Sequence, residues 1–299
     1  MKPTLLILAA GMASRYGSMK QIDGFGPNGE TIIDYSIYDA IKAGFGKVVF
    51  IIKEEFLTNF KNIFDPKLAG KIETDYVFQN FDLTQFGIEE EIYREKPWGT
   101  AHAILSARNV IKEPFCVINA DDFYGFDAYK KMVDFLAEEA TDSNYSIIGY
   151  QIGKTLSDFG AVSRGVCKVD DSGNLEEIVE RTKVYQEEGV IVYEEDDNKY
   201  PLDFETPVSM NFWGFTPSVF KVTTELFKEF ALANKDKPKA EFFIPLIGEN
   251  LVKSNGATFK VIPTANQWFG VTYKEDKPFV QASIDQLVKD GAYPENLWS

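Results

Sequence analysis

The stretch LAAGMASRYGSMKQ, residues 8–21, governs how the rest of the chain is read. It follows without a break on an apolar run, Thr4 to Ala9, with the length of a strand buried on both faces. In an open parallel sheet, ligands bind beyond the carboxyl ends of the strands. A glycine-rich turn at that edge leaves backbone N–H groups aimed outward, an arrangement that suits phosphate oxygens. Gly11 permits the turn, and the small residues Ala9, Ala10, Ala13 and Ser14 let an anion approach the backbone. Arg15 adds a planar fork for phosphate, and Lys20 a movable point charge. The stretch is neither a GxxxxGK[ST] loop nor a GxGxxG fingerprint.

Charge sharpens the reading. Residues 1–22 contain Lys2, Arg15 and Lys20 and no carboxylate, a local charge of +3 on a chain whose formal charge is −15. An all-cationic loop on an acidic protein is what selective capture of a polyphosphate requires. The competing reading is an ordinary strand-to-helix turn with two solvated cations. The remaining acidity repels phosphate backbones and anionic lipid, which argues against nucleic acid or a membrane surface as partner. Two cysteines, Cys116 and Cys167, and a single histidine leave no zinc spacing and no disulfide framework, which fits a cytoplasmic, reducing setting. The opening MKPTLLILAA faintly resembles a secretory signal, but its apolar run is short and Arg15 and Lys20 follow closely, so it reads as a strand. No run approaches the roughly 18 apolar residues of a membrane span.

Strand-like and helix-like segments alternate through the first half. Helices are expected over Thr31–Ala43, Phe56–Phe64, Thr100–Val110 and Ala128–Glu138. Strands are expected at Lys47–Ile52, Thr74–Phe78, Phe115–Asn119 and Ser146–Tyr150. This alternation predicts an α/β chain with a mostly parallel sheet covered on both faces. After Tyr150 the runs shorten, and an acidic stretch from Glu187 to Glu205 reads as a solvated face. Helices over Ser218–Ala231 and Glu241–Val252, a strand at Thr258–Pro263 and a helix over Lys277–Asp290 complete the chain.

The glycine stretch resembles the phosphate-binding loop of the sugar-phosphate nucleotidyltransferases, or NDP-sugar pyrophosphorylases, whose pattern is LxAGxGxR followed by a lysine; Ala13 stands at that pattern's second glycine. The resemblance runs over about residues 4 to 285. It implies a GT-A-like, Rossmann-like sheet with helices on both faces, plus a smaller β-rich insertion on the sugar side. It implies a single domain over residues 1–299, with a nucleotide-binding half (1–150), an acceptor-binding half (151–275) and a C-terminal helix (276–299). The implied reaction transfers a nucleoside monophosphate from a nucleoside triphosphate to a sugar 1-phosphate and releases pyrophosphate, with Mg²⁺. The same fold also serves cytidylyltransferases for alcohol phosphates such as phosphocholine, and a catalytically silent nucleotide-sugar sensor is the rival from another class.

Carried over residue by residue, the resemblance gives Leu8, Ala10, Gly11, Met12 and Ala13 to the nucleotide and Arg15 and Lys20 to catalysis. REKPWGTAHAI (Arg94–Ile104) is similar to the base-recognition segment, with Gly99 and Thr100 facing the base and Arg94, which offers donors only, at the family's glutamine. His102 reads as a packed neighbour without an acid–base role. VINADDFYG (117–125) is similar to the strand-end element in which Asp121 holds magnesium, and the late second ligand falls on Thr272 (or Gly270), neither of them a carboxylate. On the sugar side, FGAV (159–162) supplies Gly160, LEEIVERTK (175–183) supplies Glu180 for hydroxyls and Arg181 (or Lys183) for the phosphate, and MNFWGF (210–215) supplies Asn211. Removing one such preorganised contact costs about 10²–10³ in rate. Arg15→Ala is therefore expected to keep the fold and lose turnover on that scale. Near-normal pyrophosphate release by the variant would remove Arg15 from the mechanism.

Overall fold

The computed structural model describes residues 1–11, 24–271 and 273–299. Met12, Ala13, Arg15, Lys20 and Thr272 lie outside the described residues. At the centre is β1 (Thr4–Leu8), paired in parallel with β2 (Lys47–Ile52) on one side and β4 (Phe115–Asn119) on the other. β3 (Glu73–Phe78) extends the parallel block beyond β2. Continuous apolar runs suit β1, β2 and β4 because both faces are covered, while the edge strand β3 opens with Glu73, Thr74 and Asp75. Leu6, Val49 and Ile51 face one core and Leu5, Ile7, Val48, Phe50 and Ile52 the other, as the two-residue period of a strand demands.

Helices cover each face. The second core is closed by α1 (Ile32–Ala43), α2 (Leu57–Leu68) and α4 (Phe126–Glu138). The first is closed by α3 (Thr100–Leu105), α5 (Val219–Ala233) and α6 (Ile244–Asn255). A capping box between Thr31 and Asp34 starts α1, and Gly44, at φ 113°, ends it. The helix expected to stop at Phe64 runs on to Leu68, since burying Leu68 one turn beyond Phe60 and Phe64 continues the same apolar face. The helix expected to reach Val110 stops at Leu105, where the chain tightens into i to i+3 turns.

An antiparallel block completes the sheet. β11 (Pro207–Phe215) joins β4 at Trp213–Phe215 and β7 (Val162–Val169) at Val208–Ser209. Beyond β7 follow β8 (Leu175–Glu187), β9 (Val190–Glu195) and β10 (Asn198–Leu202), an antiparallel run that carries the acidic stretch into solvent. On the opposite edge of β11 lies β6 (Asn144–Gln151), antiparallel to it, and then β12 (Thr258–Pro263), which pairs parallel to β6. The short strands β5 (Asp122–Phe123) and β13 (Phe269–Gly270) pair antiparallel as a separate ribbon. Cys116 and Cys167 are both free and buried. Among the described residues, no helix is long and apolar enough to cross a membrane.

A third core seats α7 (Lys277–Lys289) and the C-terminal residues against α1 through Tyr35, Val280, Ile284, Tyr293 and Leu297. The Tyr293 hydroxyl donates to buried Asp39 Oδ2 at 2.7 Å, and burial raises the Asp39 carboxyl to about 7. With the folded-state value above the unfolded one, the native protein keeps a proton on Asp39 that the unfolded chain releases. The associated stability is complete below about pH 4 and is lost as the pH rises to about 7. Urea titrations are expected to show the stability of Asp39→Asn, relative to wild type, growing with pH across that window. A difference independent of pH would contradict the assignment.

Candidate functional site

The site grows from an irregularity in β11. Between Ser209 and Trp213 the register breaks, and Asn211 adopts φ 61°, a left-handed conformation that asparagine tolerates better than most residues. The strand thereby leaves β7 and joins β4, and the two neighbours part. Buried Tyr124 ties the fork: its hydroxyl accepts from Asn119 N at 3.1 Å and donates to Met210 O at 2.8 Å. Burial keeps this phenol protonated across the working range of pH. Asp122 fixes the Asn119 side chain, accepting from Nδ2 at 2.9 Å, and Asn211 Nδ2 reaches Asn119 Oδ1 at 3.4 Å.

Two cavities open at the fork. One, of about 270 Å³, is lined by residues that include Leu8, Ala10, Gly11, Gln79, Gly99, Thr100 and Glu241. The other, of about 390 Å³, includes Ser163, Arg164, Glu180, Ser209 and Trp268. Asn119, Asp121 and Asn211 line both and form the shared wall.

The first cavity has a backbone floor. Phe242 N donates to Trp98 O at 2.6 Å and Ala101 N to Phe242 O at 3.0 Å, so residues 98–101 are zipped to the start of α6. Gly99 sits in this zipper at φ 105°, where a Cβ would stand 2.5 Å from Phe242 O. Thr100 is the first helical residue rather than the cap, and its Oγ1 accepts from Ile244 N at 3.2 Å. Gln79, immediately after β3, directs Nε2 to Gly99 O at 3.3 Å and to His102 Nδ1 at 3.3 Å. Burial draws His102 down to about 3, so the imidazole is neutral at pH 7.

Several residues singled out in the sequence come together here: Leu8, Ala10, Gly11, Gly99 and Thr100 line the first cavity, Glu180 the second, and Asp121 and Asn211 both. Glu180 is open to the cleft, yet partial desolvation raises its carboxyl, an effect that Arg164 opposes. Others sit apart. The Arg94 guanidinium stacks 3.9 Å over Trp98 and donates to Lys96 O, Lys237 O and Ala240 O, clasping two loops. Arg181 pairs with Glu195 and lies 4.2 Å over Tyr193, and Lys183 pairs with Glu194 at 3.2 Å. Gly160 adjoins Ala161 of the second cavity, and a Cβ on it would meet the Tyr273 hydroxyl at 2.8 Å. Gln79 and Arg164 had not been singled out. Gln79 was signalled by its place at the carboxyl end of the strand TDYVF; Arg164 carried no local signal.

Among the described residues no cluster of three or more His, Cys, Asp or Glu stands ready to hold a metal. Mg²⁺ does not need one. It takes one or two carboxylates and fills its shell with water and phosphate oxygens. The oxygen donors of Asp121 and the neighbouring amides fit that demand.

A family profile described as nucleotidyl transferase matches residues 6–254, from β1 to α6. The chain belongs to the nucleotidyl transferase family. The fold agrees. The inositol-1-phosphate CTP transferase of T. maritima superposes with a TM-score of 0.60 at 13% identity, over 95% of this chain and 97% of that one. A putative glucose-1-phosphate thymidylyltransferase from Bacillus anthracis gives 0.62 at 14% identity, over 94% of each chain. A UDP-glucose pyrophosphorylase complexed with UDP-glucose gives 0.61 at 16% identity, over 96% of this chain and 99% of that one. No curated protein sequence matches at a significant level. This nucleotidyl transferase thus shares its fold with proteins to which it is only 13–16% identical.

Gly99→Ala is expected to destabilise the nucleotidyl transferase by more than the roughly 1–2 kcal/mol of left-handed strain, because the zipper must also yield, and to weaken nucleotide binding. Gly87→Ala, at φ 75° with open space around it, bears the strain alone. Thermal melts and triphosphate titrations of the two variants check this, and equal losses would count against a structured floor.

Proposed function

We propose that this nucleotidyltransferase moves a nucleoside monophosphate from a triphosphate to a sugar 1-phosphate, forming an NDP-sugar and pyrophosphate within one domain. The observation that carries the reading is the pair of cavities meeting at Asn119, Asp121 and Asn211. One is small and floored by backbone, as a base requires, and the other is polar, as a phosphorylated sugar requires.

An oxygen of the acceptor's phosphate attacks the α-phosphorus in line. The bond from that phosphorus to the bridging oxygen of the β-phosphate breaks, and pyrophosphate leaves with the electron pair. Both reactants are anions, so the protein's task is alignment and charge neutralisation. Mg²⁺, when bound, neutralises phosphate charge beside Asp121. Asn119 and Asn211 hold the shared wall rigid, and Arg15 and Lys20 are assigned to the triphosphate. The attacking oxygen already carries negative charge, so no general base is needed, and His102, near 3, is suited to packing only.

Gln79 bears on the base. With Nε2 directed to Gly99 O and to His102 Nδ1, its Oε1 remains as an acceptor on the cavity it lines. Such an acceptor can take a ring N–H of uracil, thymine or guanine or the exocyclic amino group of cytosine or adenine, so it orients a base edge without by itself choosing the base. Pyrophosphate release with Mg²⁺ across triphosphates and acceptor phosphates tests both parts. Turnover is expected with a sugar 1-phosphate and at least one of the nucleoside triphosphates. Turnover confined to CTP with an alcohol phosphate such as phosphocholine, or tight NDP-sugar binding without turnover, would contradict it.

A further inference from the structure

Arg164 is the least expected group in the acceptor cavity. Its side chain is only 6% exposed, and the guanidinium lies 4.8 Å from the ring centroid of Trp268. Nε donates to Thr155 Oγ1 at 3.0 Å, Nη1 to Ser163 O at 2.7 Å, and Nη2 to Thr155 O. These three bonds engage neutral oxygens and leave two of the five N–H donors. Among the described residues Arg164 forms no ion pair; Asp122, Glu180 and Asp276 act on it only through their fields. Burial lowers it to about 10, which leaves it charged at neutral pH.

A desolvated cation without an ionic partner is costly, and structure alone does not call for one, since an apolar side chain could fill the same space. Arg181 and Lys183, the cations expected to hold the acceptor's phosphate, are paired with Glu195 and Glu194. Neither lines the cavity, whereas Arg164 does. We propose that Arg164 is the specificity-determining cation of the acceptor cavity and binds an oxyanion of the acceptor, its phosphate or a carboxylate substituent. The proposal rests on the nucleotidyl-transfer reading for what enters the cavity. A guanidinium held by Thr155, Ser163 and Trp268 is already oriented, so its remaining donors meet a planar or tetrahedral oxyanion with little further ordering. Acceptors lacking such a group leave the cation unpaired and are rejected.

Calorimetric titration of the full chain with glucose, glucose 1-phosphate, glucuronic acid and glucuronic acid 1-phosphate tests this, alongside titration with each Mg–triphosphate. The wild type is expected to bind at least one anionic sugar more tightly than glucose. Arg164→Gln is expected to weaken that binding about 10- to 100-fold with triphosphate binding unchanged. The sugar that loses affinity tells phosphate from carboxylate. Arg164→Lys keeps the charge and is expected to recover part of the loss. It also carries the comparison if the glutamine variant does not fold, and a merely structural arginine would show no such rescue. Anionic sugars bound no better than glucose, or bound equally by wild type and a folded variant, would overturn the assignment. Failure to bind any triphosphate would instead overturn the nucleotidyl-transfer reading, and this assignment with it.

Discussion

The Met210 carbonyl, held by the buried hydroxyl of Tyr124, is the contact on which the site depends. Where β11 leaves one neighbour for another, a strand loses regular ladder partners, and a buried carbonyl left unpaired is expensive. Tyr124 supplies the missing donor and receives Asn119 N on the same oxygen, so the end of β4 and the bulge of β11 are fixed to one point. The cleft is therefore a property of the sheet, not of a loop resting on it. Asn119, Asp121 and Asn211 occupy the junction, and the parallel and antiparallel blocks each contribute a cavity to it.

The two cavities differ in how they recognise. The first cavity, proposed for the nucleotide, meets backbone and neutral amide at Gly99 and Gln79, backed by a histidine that burial keeps uncharged, with the carboxylates of Asp121 and Glu241 also in its lining. In the proposed reaction, neutral donors and acceptors at Gly99 and Gln79 would meet the edge of a base without competing for its phosphates. On the acceptor side the walls carry charge of both signs, with Arg164 beside Glu180 and Asp122. In the proposed reaction a guanidinium among carboxylates would select acceptors that bring their own negative group.

Much of the parallel block was legible in the chain. Uninterrupted apolar runs such as KVVFII, glycine stops such as Gly44 and the strand-end carboxylate Asp121 are local signals, and local physics produces them. Positions set by distant strands were not legible. Gln79 and Gly99 touch across twenty residues, and the intervening loop drew attention to Arg94, which instead clasps that loop to residues 237–240. Arg164 and Arg181 face each other in the β7–β8 ladder, and only the presence of Glu195 on β9 decides which is neutralised. Arg15 and Lys20, the strongest signals in the sequence, lie outside the described residues.

A crystal structure with Mg²⁺ and the NDP-sugar chosen by substrate screening tests the central claim most directly. The account requires the base against Gln79 and Gly99, the diphosphate crossing the wall at Asp121, and the sugar among Arg164, Glu180 and Trp268. A sugar lying outside that second cavity, or a diphosphate remote from Asp121, would contradict it.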